Sequence, residues 1–299
     1  MSILVVGSIA LDNVETPKAK ADNLPGGSAL YFSTAASLFS PVNVVGVVGQ
    51  DFDHKQIQFL QERRVDLSGV TTEEGETFRW GGRYHENMNS RDTLFTFLNV
   101  FETFEPKLPE KYRQSPFIFL ANIDPELQLR VLESAGTPAL VVLDTMNFWI
   151  SGKRDALEEV IRRVDVMILN DEELRELTGI FSLSEAARSL LKQGPSALVV
   201  KKGEHGAVLI SQNDYFSCPA YPVEEVVDPT GAGDSFAGGF LGYLASLKNP
   251  LPDDYRRAVV YGNTVASFNV ESFSFERLKD ISKEEVEQRV NHLREITRF

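Results

Sequence analysis

Six short runs of nearly continuous apolar residues constrain the fold of this chain more than any other feature. They are ILVVG, NVVGVVG, FIFLA, ALVVLD, VDVMILN and ALVVKKG, beginning at residues 3, 43, 117, 139, 164 and 197. Strands that are apolar on both faces are typical of a parallel sheet covered by helices on each side. Segments of helical periodicity lie between or after the runs, at residues 28–39, 53–63, 125–135, 153–163, 172–177, 184–193, 234–247, 253–268 and 282–296. The alternation predicts one α/β domain over residues 1–299 with right-handed crossovers.

One region breaks this rhythm. Residues 73–104, EEGETFRWGGRYHENMNSRDTLFTFLNVFETF, alternate with a period of two and are rich in aromatic residues. We expect a few antiparallel strands outside the main sheet. Residues 12–24 and 75–104 are expected to form a small β-lid, whose aromatic residues either face a substrate or form the lid's own core. An edge hairpin without function is the alternative.

The charge and cysteine content exclude several classes of partner. The net charge of −13 and the pI of about 4.9 argue against nucleic acid, which needs a basic face. The single cysteine, Cys218, precludes an internal disulfide and indicates a reducing compartment. No apolar run approaches the roughly 20 residues that a membrane span requires. The sequence therefore predicts a cytoplasmic protein with no nucleic-acid or membrane partner.

The stretch DPTGAGDSFAGGF, residues 228–240, carries the strongest chemical signal. Gly231, Ala232 and Gly233 have almost no side chains, so their N–H groups can converge on a phosphate oxygen at a helix N-terminus. Asp234 follows directly, where a carboxylate can accept a proton from a hydroxyl that attacks the phosphorus. A glycine-rich turn with an aspartate helix cap is the structural alternative.

This stretch resembles the C-terminal signature of the ribokinase-like carbohydrate kinases, the phosphofructokinase B family. The resemblance implies a three-layer α/β/α fold with a mainly parallel central sheet and a small β-lid. It also implies that Asp234 is the catalytic base and that Gly231, Ala232 and Gly233 form the anion hole. Asp228 matches a residue that helps bind a monovalent cation, such as K⁺, in several members.

Further motifs extend the resemblance over nearly the whole chain. LNDEEL places Asn170 and Glu173 in the family's Asn-x-x-Glu motif, which implies that Glu173 orients water on the Mg²⁺ of bound ATP; a cap by Asn170 is the alternative. VVKKGEHGA places Lys201 and Gly203 under the nucleotide, although Lys201 could equally be solvated. Asn263 matches a position beside the adenine, where a core hydrogen bond is an equal alternative.

Residues near the N-terminus match the family's acceptor site. Asp12 is expected to accept hydrogen bonds from acceptor hydroxyls, unless it is only a turn residue. Gly26 and Gly27 would let the acceptor lie against the backbone. Ala10 and Tyr31 stand where ribokinase has two Asn residues, which disfavours free ribose. An aromatic residue can stack on a nucleobase, and we therefore favour a ribonucleoside.

The sequence predicts a kinase that moves the γ-phosphate of Mg-ATP to a primary hydroxyl of a ribonucleoside or sugar. A sugar-only kinase of the fructokinase, ribokinase or ketodeoxygluconate kinase type stays open, as does a non-catalytic nucleotide sensor. The first strand ends in GSIALD without the dinucleotide fingerprint Gly-x-Gly-x-x-Gly, which disfavours a nicotinamide dehydrogenase. The sequence also contains no P-loop motif, which disfavours a P-loop kinase.

Three further expectations concern residues without a firm motif. Asp144 and Asn147 follow another strand and are expected to be peripheral to the site. The polar residues Arg83, Arg91 and Asn99 of the lid have no motif to support a role. An exposed sheet edge invites pairing with a second chain, so a homodimer through the lid is expected.

Overall fold

A computed structural model describes residues 1–247 and 249–298 of the chain. The strands are β1 (Ile3–Val6), β2 (Ala10–Glu15), β3 (Lys20–Gly26), β4 (Val42–Gly49), β5 (Val65–Glu73), β6 (Phe78–Tyr84), β7 (Arg91–Phe97), β8 (Phe117–Leu120), β9 (Leu140–Asp144), β10 (Val166–Asn170), β11 (Ala197–Lys201), β12 (Ala207–Ser211) and β13 (Tyr215–Cys218). The helices are α1 (Ser28–Ala36), α2 (Phe59–Glu62), α3 (Pro125–Ser134), α4 (Asn147–Gly152), α5 (Arg154–Ile161), α6 (Asp171–Thr178), α7 (Leu183–Leu191), α8 (Ala232–Ser246), α9 (Asp254–Asn269), α10 (Glu276–Asp280) and α11 (Lys283–Ile296).

The main sheet contains all six of the apolar runs, as predicted. Within the described residues its nine strands have the order β13-β12-β11-β10-β9-β8-β1-β4-β5. Strands from β11 to β5 are parallel, and β12 and β13 extend one end as antiparallel strands. The carboxyl ends of the parallel strands therefore share one edge, which is where open α/β sheets bind their ligands.

Helices cover both faces of this sheet. Helices α1, α2, α8, α9 and α11 pack on one face, and α3, α5, α6 and α7 pack on the other. On the first face, the rings of Phe32 and Phe119 stack with their centroids 4.2 Å apart. The predicted three-layer α/β/α architecture is confirmed.

The contact between α1 and α8 is close because small residues lie at it. A Cβ atom on Gly238 would come within 2.7 Å of the Ala35 side chain, and one on Gly242 within 3.0 Å of Ala36. The distance at Gly238 is shorter than real Cβ atoms show, and the distance at Gly242 is tighter than most real Cβ contacts, so glycine at these positions allows the close approach of the two helices. This contact fixes the position of the N-terminus of α8 above the sheet edge.

A second, four-stranded sheet, called here the small sheet, has the order β3-β2-β6-β7. It is formed by two antiparallel hairpins joined through a parallel pairing of β2 with β6, in which Asp12 lies opposite Trp80. Phe95 stacks on Phe97 at 5.1 Å, and its ring covers Gly81. Phe95 and Phe97 therefore pack on one another, but neither ring is buried, so the two interpretations of the lid aromatic residues both stay open.

Among residues 1–247 and 249–298, no helix combines the length and the apolar character that crossing a membrane requires.

Candidate active site

Three polar side chains mark the carboxyl edge of the main sheet. Asp144 ends β9, Asn170 ends β10 and Lys201 ends β11, and these strands are neighbours. The first turn of α8 and the inner part of the small sheet lie above the same edge. The site is thus assembled from segments that are distant in sequence.

Gly231 is the N-cap of α8 and adopts a left-handed conformation, with φ 75°. A side chain there would also overlap the ring of Tyr31. Both the backbone angle and the close contact require glycine at this position. The turn places Asp234 in the first turn of the helix, where the positive end of the helix dipole lies.

The three amides of the predicted anion hole differ in their hydrogen bonds, and the anion hole itself stays a prediction. The N–H of Ala232 donates to the carbonyl of Pro229 at 3.1 Å and is not available to a ligand. The N–H groups of Gly231 and Gly233 have no protein acceptor among the described residues. Two amides of the predicted three are therefore free to bind an anion, because the turn itself uses the third.

Asp234 is half-buried between two groups of charged residues. Burial, and after it the charge of Asp144, raises the pKa of Asp234 to about 7, against a lowering effect of Lys201. The charge of Asp234 also raises the pKa of Asp12, on the other side of the site. The Asp234 carboxylate therefore lies within electrostatic reach of both the predicted acceptor site and the predicted phosphate site.

Asp12 lies on β2 and is only 4% exposed. Gly26 makes room for its carboxylate, which a Cβ on Gly26 would overlap. Burial, followed by the charges of Asp228 and Asp234, raises the pKa of Asp12 to about 8, while the N–H of Gly27 at the start of α1 lowers it. The three predicted acceptor residues Asp12, Gly26 and Gly27 are therefore neighbours.

Tyr31 is placed differently from the stacking role expected for it. Its ring is 1% exposed, covers Gly231 and meets Phe275 edge-on with centroids 5.8 Å apart. No face of the ring is open to a nucleobase, and we correct the stacking interpretation accordingly. The Tyr31 hydroxyl lies buried without a hydrogen-bond partner in the described part of the chain.

Asp228 is fully buried and holds the loop that precedes α8. Its Oδ1 accepts the Thr230 N–H at 2.8 Å, and its Oδ2 accepts the Ser274 N–H at 3.4 Å. Burial raises the pKa of Asp228 to about 6. The Thr230 hydroxyl donates to the Tyr84 hydroxyl at 3.1 Å, which connects this loop to the small sheet.

Asn170 and Glu173 form a capping box at the start of α6. The side chain of Asn170 accepts the Glu173 N–H, and Glu173 Oε2 accepts the Asn170 N–H, both at 2.7 Å. The helix cap by Asn170, given above as the alternative for this motif, is therefore present. The same capping box holds the Glu173 side chain near Lys201 and Asp144. Burial raises the pKa of Glu173 to about 7, against a lowering effect of Lys201 and with a raising effect of Asp144.

Lys201 and Asp144 form a buried ion pair, with 3.5 Å between Nζ and Oδ2. The Lys201 Nζ is 3.0 Å from where a Cβ on Gly233 would lie, so the ammonium group adjoins the first turn of α8. Burial lowers the pKa of Lys201, but Asp144, Glu173 and Asp234 together raise it above its ordinary value. The expectation that Asp144 is peripheral is wrong, whereas Asn147 is exposed and contacts Glu176.

Two nucleotide-site predictions remain, Gly203 and Asn263. Gly203 begins a short 3₁₀ turn against which Asn89 of the β6–β7 loop packs. Asn263 donates to the carbonyls of Cys218 and Pro219, both at 3.3 Å. These are core hydrogen bonds of the kind given above as the alternative, and a contact of Asn263 with adenine stays a prediction.

Arg91 is a site residue that no motif identified. It lies on β7, packs over the ring of Trp80 at 5.6 Å, and lowers the pKa values of Glu173 and Asp234. Arg83 instead pairs with Glu15 at 2.7 Å, and Asn99 donates to the Thr77 carbonyl. The pairing of β6 with β7 determines that Arg91, and not Arg83, lies near Glu173 and Asp234. This pairing could not be predicted from the sequence.

Buried carboxyl groups outnumber buried cations in the site. Burial raises the pKa of all five acids, which are Asp12, Asp144, Glu173, Asp228 and Asp234. Within residues 1–247 and 249–298, no three potential ligand side chains are grouped to hold a metal by themselves. Such a site fits a cation that arrives with phosphate oxygens and keeps several waters, as Mg²⁺ does.

Comparison with known proteins shows the family of this chain. The pfkB family carbohydrate kinase model matches residues 3–277. The cytidine kinase of Thermococcus kodakarensis is 33% identical over 262 residues, covering 86% of this chain and 92% of that protein. The nucleoside kinase of Methanocaldococcus jannaschii is 25% identical over 285 residues, covering 90% of each chain.

A solved structure supports the fold. A putative ribokinase II from E. coli in complex with ATP and Mg²⁺ has a TM-score of 0.79 at 20% identity, covering 97% of this chain and 99% of that one. The family match spans most of the chain and includes every strand and helix that forms the site. This protein is therefore a kinase that belongs to the pfkB family of carbohydrate kinases.

Proposed function

We propose that this kinase transfers the γ-phosphate of Mg-ATP to a primary hydroxyl of a ribonucleoside, with Asp234 as the general base. One observation carries the proposal. Asp234 lies beside two free amides at the start of α8 and interacts electrostatically with Asp12 on one side and with Asp144 and Lys201 on the other. A base in this place can reach a hydroxyl while that hydroxyl meets the phosphorus.

The proton transfer follows from the charge of the site. Asp12 accepts a hydrogen bond from the acceptor and orients it, and Asp234 takes the proton of the attacking hydroxyl. A pKa of about 7 suits a base that works near neutral pH. The N–H groups of Gly231 and Gly233, with Lys201 and Arg91, stabilise the charge on the transferred group, as in other phosphoryl transfers.

Mg-ATP would occupy the side of the site formed by β9, β10 and β11. Glu173 and Asp144 would hold the metal through water, and Lys201 and Gly203 would lie under the phosphates. Bound Mg²⁺ supplies neutralisation of phosphate charge. The E. coli structure with ATP and Mg²⁺ supports the choice of cosubstrate, and Asn263 is assigned to the adenine end as part of the same proposal.

The choice of a ribonucleoside rests on two kinds of support. The relatives described above are named cytidine kinase and nucleoside kinase. Trp80 lies opposite Asp12 in the register of the small sheet and is partly exposed, whereas the Tyr31 ring is buried. We therefore assign Trp80, in place of Tyr31, as the aromatic residue that contacts the base.

A coupled ADP-release assay tests this function. One acceptor panel holds adenosine, guanosine, inosine and cytidine, and a second holds ribose, fructose, fructose 6-phosphate and 2-keto-3-deoxygluconate. Turnover with the nucleosides is expected. Turnover with sugars alone would keep the mechanism and reject the acceptor class, and no turnover with either panel would favour a nucleotide sensor.

Substitution of the base tests the mechanism separately. We expect Asp234→Asn to lower kcat by more than about 100-fold with little change in ATP affinity, because a general base contributes rate and not binding. Asp155→Asn is the matched control, since Asp155 is an exposed aspartate in the first turn of α5. A near-normal kcat for Asp234→Asn would reject the assignment.

A monovalent cation near Asp228 belongs to the same proposal. Asp228 is a buried acid without a side-chain cation partner in the described residues, and it anchors the loop that carries Gly231. K⁺ in this place would neutralise the carboxylate and order the loop. We expect kcat to be higher in K⁺ than in an equal concentration of tetramethylammonium, and equal rates in the two would contradict a K⁺ site.

We also propose that two copies associate through the small sheet. Phe97 is 54% exposed there, and Leu94 and Leu98 are exposed beside it. Burial of such side chains against a second copy would remove apolar surface from water. Light scattering should then give twice the chain mass of 33.4 kDa for the wild type and the chain mass for Phe97→Glu. A wild-type monomer at micromolar concentration would contradict this arrangement.

A further inference from the structure

The hydroxyl of Tyr31 is an unpaired polar group at the acceptor end of the site. The residue is 1% exposed, and its hydroxyl has no hydrogen-bond partner among the described residues. A buried hydroxyl without a partner destabilises a folded protein, so such groups usually await a ligand or a water molecule. The mechanism above does not use this group.

The surroundings of Tyr31 point to the acceptor and not to the nucleotide. Its ring covers Gly231, and its Cε2 is 3.4 Å from where a Cβ on Gly26 would lie, which places it beside the Asp12 carboxylate. Burial, followed by Asp12, Asp228, Tyr84 and Asp234, raises the pKa of the Tyr31 phenol well above its ordinary value. Asp12 is the charged group with the largest of these effects, which agrees with the position of the ring beside its carboxylate.

The acceptor end is rich in carboxylates, since Asp12, Asp228 and Asp234 lie within electrostatic reach of one another. Carboxylates only accept hydrogen bonds when they are ionised, whereas each acceptor hydroxyl has lone pairs as well as a proton. A hydroxyl that donates to Asp12 therefore leaves its oxygen unsatisfied in a closed site. The Tyr31 hydroxyl can donate to that oxygen and would gain a partner of its own.

We propose that the Tyr31 hydroxyl donates a hydrogen bond to a ribose hydroxyl oxygen of the acceptor, so that Tyr31 and Asp12 together select an acceptor hydroxyl by donating to it and accepting from it. This inference rests on the proposed function for the identity of the acceptor. It assigns Tyr31 a specificity role through its hydroxyl, in place of the stacking role through its ring. Both partners are buried, so loss of either hydrogen bond leaves the other group unsatisfied.

The substitution Tyr31→Phe removes the hydroxyl and keeps the ring that fills the space over Gly231. We expect its KM for cytidine to rise about 3- to 10-fold, as loss of one uncharged hydrogen bond predicts, with KM for ATP unchanged. Its Tm without ligand should equal or exceed that of the wild type, because an unpaired buried hydroxyl has been removed. The rise in Tm that cytidine alone produces should shrink.

Tyr112→Phe is the matched control for this experiment. Tyr112 is also 1% exposed, but its hydroxyl donates to the Asp66 carbonyl at 3.0 Å and lies 2.9 Å from the Ser68 hydroxyl, away from the site. This variant should lose Tm and keep the wild-type KM for cytidine. A Tyr31→Phe variant that behaves in the same way would show that the Tyr31 hydroxyl is structural and would overturn the inference.

Deoxynucleosides identify the hydroxyl involved. With the wild type, kcat/KM should be lower for either 2′-deoxycytidine or 3′-deoxycytidine than for cytidine, and Tyr31→Phe should reduce that discrimination severalfold for one of the two. Equal discrimination by both enzymes for both analogues would overturn the inference. Absence of wild-type turnover with any nucleoside would instead reject the proposed function, while cytidine-induced thermal shifts would still report on Tyr31.

Discussion

Glu173 has an observed role as a helix cap and a proposed role in holding Mg²⁺, and a single substitution can separate the two. Its Oε2 caps α6 by accepting the Asn170 N–H, and its charge adjoins Asp144 and Lys201 in the site. Glutamine keeps an oxygen that can accept the same N–H but carries no charge. The capping function and the metal-binding function should therefore respond differently to this change.

We predict that Glu173→Gln lowers kcat/KM for Mg-ATP by at least about 10-fold while Tm stays within about 2 °C of the wild type, since the change removes charge and not the cap. A second capping box, Ser282 with Glu285 at the start of α11, supplies the control Glu285→Gln. The control should leave kcat/KM unchanged. If both variants lost only stability, Glu173 would be a cap and nothing more.

Single residues of the site were predictable where a motif fixes both type and position. The structure brings Asp12, Glu173, Lys201 and Asp234 within electrostatic reach of one another, and their roles in the reaction stay predictions. Asp144 was misjudged because its strand-end position becomes informative only once β9 is known to neighbour β10 and β11. The N–H of Ala232 was misjudged because turn geometry, and not residue size, decides which amides stay free.

At the scale of elements, the packing of α8 on α1 determines where Asp234 lies. Its glycines allow it to approach α1 closely, and its first turn carries Asp234. A Cβ on Gly238 would also lie 2.5 Å from the Phe32 carbonyl oxygen, which belongs to backbone and cannot rotate away. Any added atom here must displace α8 as a body.

We predict that Gly238→Ala lowers the free energy of unfolding by about 1–3 kcal/mol, as overpacking does, and lowers kcat because the first turn of α8 moves. Gly152→Ala is the control, because a Cβ on Gly152 at the end of α4 would meet nothing within 4 Å. Urea denaturation and the ADP-release assay measure the two effects. A Gly238→Ala enzyme with wild-type stability would contradict the close contact.

The small sheet should contribute to the reaction through Arg91. We predict that Arg91→Ala lowers kcat by at least about 10-fold, since a positive charge near the transferred group stabilises the transition state. Arg83→Ala is the control on the neighbouring strand, where Arg83 pairs with the partly exposed Glu15. Steady-state kinetics of both variants measure kcat. Equal losses of kcat in the two variants would contradict a specific role of Arg91 and would mean that the small sheet only covers the site.

Strands in the centre of the main sheet could be predicted from the sequence, whereas strands at its ends could not. The six apolar runs became strands of the main sheet, but β5 was missed, because its sequence VDLSGVTTE is polar and it pairs with β4 on one side only, at the end of the sheet. Strands β12 and β13 were not predicted either, because they are short. They also follow the segment VVKKGEHGA, which was interpreted only as a nucleotide-binding motif. Edge strands lack the continuous apolar signal of central ones.

For the whole molecule, the buried acids make stability depend on pH in an unusual direction. The pKa values of Asp12, Asp234, Glu173 and Asp228 are raised to about 8, 7, 7 and 6, mainly by burial. Between about pH 4 and pH 8 the folded state therefore binds more protons than the unfolded state. The free energy of unfolding must fall as pH rises through this range.

We predict that the ligand-free protein has a higher Tm at pH 5.5 than at pH 8, and that Asp12→Asn reduces the difference. Acids with lowered pKa values, such as Glu15, lose their contribution only below their ordinary pKa, outside this window. Thermal unfolding in matched ionic strength measures the effect, with Asp155→Asn as control. A Tm that is constant or rises from pH 5.5 to pH 8 would contradict the burial of these acids.

The late position of α8 has a consequence for biosynthesis. The sheet face that contains Phe119, with α1 on it, is not covered until α8 has been made. At about 5–20 residues per second, a ribosome needs roughly 10–40 s to pass from α1 to the end of α8. During that time the nascent chain exposes an aggregation-prone apolar surface, and near its end the chain holds both Asp12 and Lys201 before the proposed base, Asp234, has been made. Translation that stops before α8 should therefore not release a fragment that consumes ATP, because the proposed base Asp234 and one of the helices that cover this sheet face are made together.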